Sequence, residues 1–446
     1  MANTKLSLTE RLSYGFGDMG TSLAYNTASG FLLFYYTNVV HLPAAAIGVV
    51  FLVARLLDAV IDMVVGVSID RTRTRWGRTR PWFLFTMVPY AAVTVLLFNV
   101  PAWSQWAQLI YAFVTFKVLG ILSSTQGIPY TALMPMMTGD TTERLRLSGT
   151  RSIGTSTSVV LGTAATMPLV GLFGGNDLQR GFTAVSILFA GIGLIASIAL
   201  FRNCRERIND SAPARFPLLP AIGKMLQNRA WLVCFASCLI YFVRFALMMA
   251  ATPYFAIEVL RRPWMISVML PAVAGMLLLS SFVAPPILAR TGIRKGCFAV
   301  LAVASALFAV LPLTETILPL FIAIYIVACL ATSITITAAF TMIAGTVDYH
   351  EWQFGVRREG LLSAGLSLAT KLGMALGTAG FAFLLGAVGY SPETVSDVAR
   401  SAIRWSYYGS AILLMVAQAG VVLLWPMDGL HQRIRDDVAR ARLGTT

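Results

Sequence analysis

The chain is short of charge. Only 12% of its 446 residues are Asp, Glu, Lys or Arg, about half the roughly 25% of a soluble domain. So few charges cannot cover a water-facing surface, which excludes an ordinary soluble enzyme and a disordered protein. Histidine is scarce, limited to His41, His350 and His431. HExxH, GxSxG and the phosphate-cradling GxxxxGK[ST] are all missing, and with them the local signatures of zinc peptidases, α/β-hydrolases and P-loop proteins. Cysteine is sparse as well. Cys204, Cys234, Cys238, Cys297 and Cys329 form no CxxC pair and mostly sit in apolar runs. They read as small buried hydrophobes, not as a disulfide framework or a zinc site.

What the chain has is apolar length: 57% of residues are hydrophobic and mean hydropathy is +0.73. In a bilayer, such a chain fits about a dozen helices of ~20 residues plus loops. The apolar runs predict spans near 13–38, 44–69, 81–100, 107–137, 149–173 and 181–201. A second series lies near 230–259, 265–289, 296–314, 317–346, 361–389 and 402–425. The first 12 residues are polar and no small-residue cleavage site follows the first run, so that span is expected to be retained and not cleaved as a signal peptide.

The 34 Lys and Arg sort by location. Twenty-four fall in the N-terminus, the tail and alternate loops, five in the intervening loops, and five inside predicted spans. This asymmetry predicts a multi-pass inner-membrane protein with both termini in the cytoplasm. The net charge of +14 is then mostly an orientation signal, with no basic domain outside the membrane to hold nucleic acid. The polar break at 202–229 divides the chain into six spans and six. The loops DRTRTRWGRTRP and ARTGIRKG echo each other in the two halves. The expected fold is an all-α membrane protein of 12 transmembrane helices in two pseudo-symmetric lobes, as in secondary transporters. The lobes would be 1–201 and 230–425, joined by a central cytoplasmic loop 202–229 and followed by a tail 426–446.

The five buried cations are Arg55, Lys117, Arg151, Arg244 and Lys371. Each is costly in a bilayer unless it faces a cavity or a partner. On the second span, Asp58 and Asp62 are spaced i, i+4 and share a helix face. Two carboxylates one turn apart repel unless a proton, a metal ion or a cationic side chain lies between them. That is the requirement of a Na+ or H+ site, and equally of a static network with Arg55 or Lys371. Ser123, Ser124 and Thr125 offer oxygen ligands that hard cations prefer, or small residues for helix packing. Asp18, Ser22, Tyr25, Asn26 and Ser29 form a polar stripe on the first span. Ser363, Ser367 and Lys371 share a face of the eleventh, and Thr335, Thr337 and Thr341 mark the tenth. Trp82, Trp103, Trp106, Trp231, Trp264, Trp405 and Trp425 fall at span ends and are expected to be interfacial anchors.

The stretches LSYGFGDMGTSL, LLDAVIDMVVGVSIDRTRTRWGRTRPW, TQGIPYTALMP and TVDYHEWQFGVRREGLLSAGLSLATKLG resemble the glycoside–pentoside–hexuronide:cation symporters. These are the melibiose-permease branch of the major facilitator superfamily, and the resemblance spans nearly the whole chain. It implies sugar symport by alternating access, with no cofactor beyond the coupling ion, Na+ or H+. It places Asp58 and Asp62 at the cation-binding carboxylates (metal ligands if Na+ is used), with Ser124 as the helix-4 hydroxyl beside them. Lys371 matches a helix-11 lysine next to that site, and Arg151 a helix-5 arginine associated with sugar. With Ser22, Tyr25, Asn26, Gly127 and Thr131, these two make the expected substrate-binding set. The loops around Arg71, Arg75, Arg78 and Arg80, and around Asp348, Glu351 and Arg357, match segments that brace and gate.

There are departures. Galactoside-recognising members carry aspartates where this chain has Ser22 and Gly127, and a tryptophan where it has Thr131. The cation machinery looks kept and the galactoside machinery rewritten. Loss of two carboxylates beside Arg151 and Lys371 predicts a less negative cavity, and hence a hexuronide, glucuronide or other acidic glycoside, with neutral pentosides close behind. The expected partners are that small molecule, the coupling cation and membrane lipid, with the protein acting as a monomer. The rival readings are a cation-coupled carrier of a non-sugar ligand such as a lysolipid and, remotely, a membrane enzyme.

Overall fold

The first helix begins where its sequence supplies a cap. Ser7 Oγ accepts from the Glu10 amide at 3.2 Å, while the Glu10 carboxylate accepts from the Ser7 amide at 2.9 Å. This reciprocal box satisfies two otherwise orphaned donors. The computed structural model describes residues 6–138, 140–207, 218–356 and 358–429, together with 434 and 437. Its helices are α1 (Leu8–Phe34), α2 (Ala44–Arg71), α3 (Arg80–Leu97), α4 (Gln105–Met137), α5 (Thr141–Val160), α6 (Thr166–Gly174) and α7 (Leu178–Asn203). There follow α8 (Leu218–Gln227), α9 (Arg229–Tyr254), α10 (Ile266–Thr291), α11 (Ile293–Thr314), α12 (Leu318–Phe354), α13 (Glu359–Ala387) and α14 (Asp397–Val422). A wider π turn, Leu161–Ala165, joins α5 to α6. Among the described residues, nine helices are long and apolar enough to cross a membrane, or ten if a bent pair counts as one span. The all-α expectation holds: the described residues contain one isolated bridge, Thr74 to Gly77, and no named strand.

Helix ends depart from the apolar runs in an instructive way. α5 starts at Thr141 and α12 continues to Phe354, beyond the hydrophobic stretches, because hydropathy marks where lipid is and not where backbone hydrogen bonding stops. α12 ends at Gly355, whose φ of +68° is a left-handed cap. Within the 202–229 segment, the ten-residue α8 packs Met225 and Ile222 against Trp231 and Leu362. Residues 208–217, and the arginines of the tail, lie outside the described residues.

The chain divides into two compact units. Unit 1 comprises Met1–Pro213, Met249–Pro271 and Thr378–Arg400; unit 2 comprises Ala214–Met248, Ala272–Gly377 and Ser401–Thr446. In unit 1, α1 lies against α5 and α7 through glycine. A Cβ on Gly15 would stand 2.5 Å from the Thr150 carbonyl oxygen, and one on Gly20 3.0 Å from that of Gly193. Small residues let helix backbones approach this closely in a membrane protein. Unit 2 holds a core of Cys234, Cys238, Tyr241, Ile336, Met342 and Trp425. Large apolar side chains such as Phe85, Trp106, Phe282 and Leu413 are exposed, as a lipid-facing surface requires. Trp231 and Trp425 are buried, unlike the exposed Trp103, Trp106, Trp264 and Trp405, so those two serve as core residues and not as interfacial anchors. All five cysteines are unpaired and buried.

Candidate functional site

The close crossing of α1 and α5 sets the first site. Gly154 packs on the Gly15 carbonyl with no room for a Cβ. One turn along α1, Asp18 meets two α5 residues: Thr155, which follows Gly154, and Arg151, one turn before it. Thr155 Oγ1 donates to Asp18 Oδ2 at 2.5 Å, Ser22 Oγ donates to the same oxygen at 3.3 Å, and Arg151 Nε lies 3.4 Å from Oδ1. The Arg151 guanidinium also lies 5.0 Å from the Tyr130 ring centroid. Tyr130 is itself fixed by stacking on Tyr14, at 4.6 Å between centroids and 12° between planes, and by mutual hydroxyl-to-carbonyl bonds.

These groups wall a cavity of about 200 Å³ lined by Asp18, Ser22, Tyr25, Ser123, Gly127, Tyr130 and Arg151. Four residues expected at the substrate are therefore together: Ser22, Tyr25, Gly127 and Arg151. Of the other expected residues in unit 1, neither Asn26 nor Thr131 is in its lining. Asn26 packs next to Gly162, Thr131 is exposed and donates to the Gly127 carbonyl at 3.1 Å, and Lys371 is on α13 in unit 2. Asp18, Ser123 and Tyr130 line the cavity without having been singled out as substrate ligands. The polar stripe of α1 did contain Asp18, and the carboxylate that is missing at Ser22 is thus supplied one turn earlier. Asp18 therefore places a carboxylate in the cavity wall, paired with Arg151.

The second site lies between α2 and α4. Asp62 Oδ1 accepts from Ser124 Oγ at 2.5 Å, which joins two of the expected cation-site residues. Asp58 is buried and is ion-paired with Lys117. The Lys117 ammonium also donates to the Ala54 carbonyl at 3.1 Å. Arg55 instead donates to the Tyr25 hydroxyl at 2.6 Å and lies 5.0 and 5.5 Å from the Tyr25 and Phe116 ring centroids, a cation–π setting that tolerates burial. Lys117 was visible in the sequence only as an intramembrane charge without a partner.

The loop expected to gate is anchored in unit 1. Glu206 accepts from the amides of Arg78 at 2.9 Å, Thr79 at 2.7 Å and Arg80 at 3.2 Å, capping the N-terminus of α3 with a carboxylate. Arg80 reaches the Phe201 carbonyl at 2.5 Å, and Arg75 lies 4.4 Å from the Trp76 ring centroid. Asp348 and Glu351 are part-buried on α12 in unit 2. The Arg71 side chain and all of Arg357 lie outside the described residues. Unit 2 also holds a mostly apolar cavity of about 200 Å³ walled by residues such as Tyr241, Phe242, Phe245, Ser333 and Thr370. Next to it on α9, Arg244 is buried 5.2 Å from the Tyr241 ring centroid. Two of the tenth-span hydroxyls are held within the unit: Thr337 shares a 2.7 Å bond with Ser280, and Thr335 accepts from Gln418 at 3.4 Å.

Residues 13–429 match the family described as MFS/sugar transport protein. The chain belongs to that family. It is a multi-pass membrane transporter for sugar, and not an enzyme. It is 30% identical to an isoprimeverose transporter of Lactiplantibacillus pentosus, over 96% of this chain and 91% of that one. It is 28% identical to a glucuronide carrier protein homolog of Escherichia coli strain K12, over 90% of this chain and 89% of the other. In three dimensions it is similar to a bacterial homolog of the human lysosomal transporter Spinster, with a TM-score of 0.68 at 13% identity, covering 97% of both chains. That likeness is one of fold alone, and it agrees with the family match.

Proposed function

We propose that this transporter carries a glycoside in symport with a cation, by alternating access, in the inner membrane with both termini in the cytoplasm. The observation that carries the proposal is the adjacency of Ser123 and Ser124 on α4. Ser123 lines the polar cavity, while Ser124 binds Asp62 of the acid pair. One helix turn thus touches both the sugar pocket and the carboxylates. Arg55 adds a second link from α2 to Tyr25 in the cavity wall. A cation that draws α2 and α4 together would shape the sugar pocket, and linkage requires the sugar to favour the cation by the same factor.

In this reading Asp62 and Ser124 contact the coupling ion beside Asp58. Asp18, Arg151 and Ser22 hold sugar hydroxyls, and the Tyr25 or Tyr130 ring takes the apolar face of the sugar. The 70–80 loop, braced by Glu206, and the Asp348–Glu351 turn of α12 are the gating elements. Because Asp18 balances Arg151, a neutral pentose-containing glycoside is the first substrate to try. A glucuronide is the second, supported by the relative named for it. Uptake into vesicles by the purified, reconstituted protein tests the proposal with labelled isoprimeverose, glucuronide, xyloside and lysolipid under imposed cation gradients. Gradient-driven accumulation of a glycoside is expected; accumulation of lysolipid alone would overturn it.

A further inference from the structure

The end of α1 away from its N-terminus and the end of α9 are built alike. Each helix widens into a π turn, Tyr35–Val39 and Phe255–Val259. Each turn closes with the same backbone bond: the Leu42 amide donates to the Tyr36 carbonyl at 2.9 Å, and the Arg262 amide to that of Ala256 at 2.8 Å. Each then passes through a left-handed residue that is not glycine, His41 at φ +63° and Arg261 at φ +54°, a conformation uncommon for such residues. In this register Asn38 and Glu258 are equivalent. Both reach one group, the hydroxyl of Tyr390 beyond α13. It accepts from Asn38 Nδ2 at 2.9 Å and donates to Glu258 Oε1 at 3.3 Å. Beside it the buried Thr37 and Tyr254 share a 2.6 Å hydrogen bond. The Tyr254 ring meets Phe34 and Tyr390 edge-on, at 5.8 and 5.4 Å between centroids. The helices beneath are packed tight: a Cβ on Gly30 would stand 3.3 Å from Leu270 Cδ1, and one on Gly386 2.6 Å from Ala45 Cβ. All these residues belong to unit 1. So does the polar cavity at Asp18 and Tyr25, about 18 Å back along α1 from Thr37.

We propose that Thr37, Tyr254 and Tyr390 form a latch that closes the polar cavity on the side away from the N-terminus, with the Tyr390 hydroxyl as its keystone. The proposal rests on the alternating-access reading and adds a gate on the side opposite the 70–80 loop. An opening on that side requires the end of α1 to leave the end of α9, and Tyr390 holds both at once. Its bonds suit a gate that parts in every cycle. Each hydroxyl bond is modest in net strength, and separating it does not strand a buried ion pair. A π turn and a left-handed residue end each helix where it has to yield, and both features recur at functional segments. Removing the Tyr390 hydroxyl alone loses both of its bonds and keeps its ring against Tyr254.

The test puts a reporter in the cavity and reads its exposure. Ser22→Cys is introduced into the full-length protein, whose native cysteines are buried. The protein is reconstituted into sealed vesicles with both termini inside, and an impermeant maleimide is added outside. Tyr390→Phe and Thr37→Val are each expected to speed labelling at least about fivefold over the parent, the scale of one or two lost hydrogen bonds. Tyr408→Phe, which loses a hydroxyl bond to Glu315 in unit 2, is the control and should leave the rate unchanged. Labelling of both latch variants at the parent rate overturns the proposal, and so does equal acceleration by Tyr408→Phe. A second arm joins Asn38→Cys to Tyr390→Cys with a short, reducible bis-maleimide in protein without the reporter. Glycoside uptake should stop on bridging and return on reduction. Undiminished uptake through the bridge overturns the latch even if neither hydroxyl variant folds. Labelling is read without sugar, so the two readings fail separately. Faster labelling while no glycoside is carried sinks the symport reading and spares the latch. Glycoside uptake with labelling unmoved does the reverse.

Discussion

Gly154 on α5 rests on the backbone carbonyl of Gly15 on α1, with no space for a side chain at either surface of the contact. This crossing delivers Asp18 to Thr155 and Arg151 one turn away. Gly154→Ala is expected to force the helices apart at a cost of about 1–3 kcal/mol, the range for overpacking a tight interior. It should also weaken substrate binding by separating Asp18 from α5. Gly149→Ala, where a Cβ meets nothing within 4 Å, is the control. Thermal unfolding and ligand binding on both variants decide the matter; equal melting temperatures would remove the crossing from the account.

Asp18 is expected to matter more than any residue carried over for sugar recognition. Asp18→Asn leaves Arg151 without its counter-charge and removes an acceptor from Thr155 and Ser22. Substrate affinity should fall at least about tenfold, or about 1.4 kcal/mol, as for loss of a charge-assisted hydrogen bond. Ser22→Ala should cost less, since its bond to Asp18 is long. Direct binding of the best substrate ranks the two, and a reversed order would place the sugar elsewhere.

Coupling and recognition should separate along α4. Asp62→Cys is expected to abolish gradient-driven accumulation while exchange of sugar down its own gradient survives. Ser124→Ala, which removes the 2.5 Å bond to Asp62, should lower accumulation without abolishing it. Ser123→Ala should act on sugar affinity instead. If the Asp58→Cys, Asp62→Cys double variant accumulates sugar like the wild type, the acid pair has no part in coupling.

Cys204 follows α7 and packs its thiol toward the Glu10 carbonyl at 3.5 Å. Burial is the leading cause that pushes its thiol up to about 12. The thiol reacts as thiolate, so maleimide should leave Cys204 unmodified in native protein at pH 8 and label it after unfolding. The sign for stability follows. The neutral buried thiol is compatible with the fold below about pH 9, and stability is lost as pH rises from there toward about 12, where the unfolded chain sheds the proton first. Rapid native labelling at Cys204 by mass spectrometry would contradict this.

The acid pair, the arginine of α5 and the polar stripe of α1 were all legible because each breaks an apolar background at helical spacing. Their partners were not. Lys117 lies 59 positions from Asp58, and Thr155 lies 137 from Asp18; no local period links residues so far apart. Glycine is equally silent in sequence. Gly127 has open space around it, while Gly15 and Gly154 meet backbone, and composition alone does not tell these apart.

The sequence by itself determined the class: too few charges for water, apolar runs of bilayer length, an asymmetric distribution of Lys and Arg, and two carboxylates facing one way on α2. Those are one-dimensional properties, set by transfer free energy and helical period. Tertiary structure alone decided who neutralises whom. Asp58 is matched to Lys117 and Arg151 to Asp18, while Arg55 is turned to a tyrosine. Charge pairing is a property of distance in space, and in this protein the glycines of α1, α4 and α5 bring the helices near enough to set it.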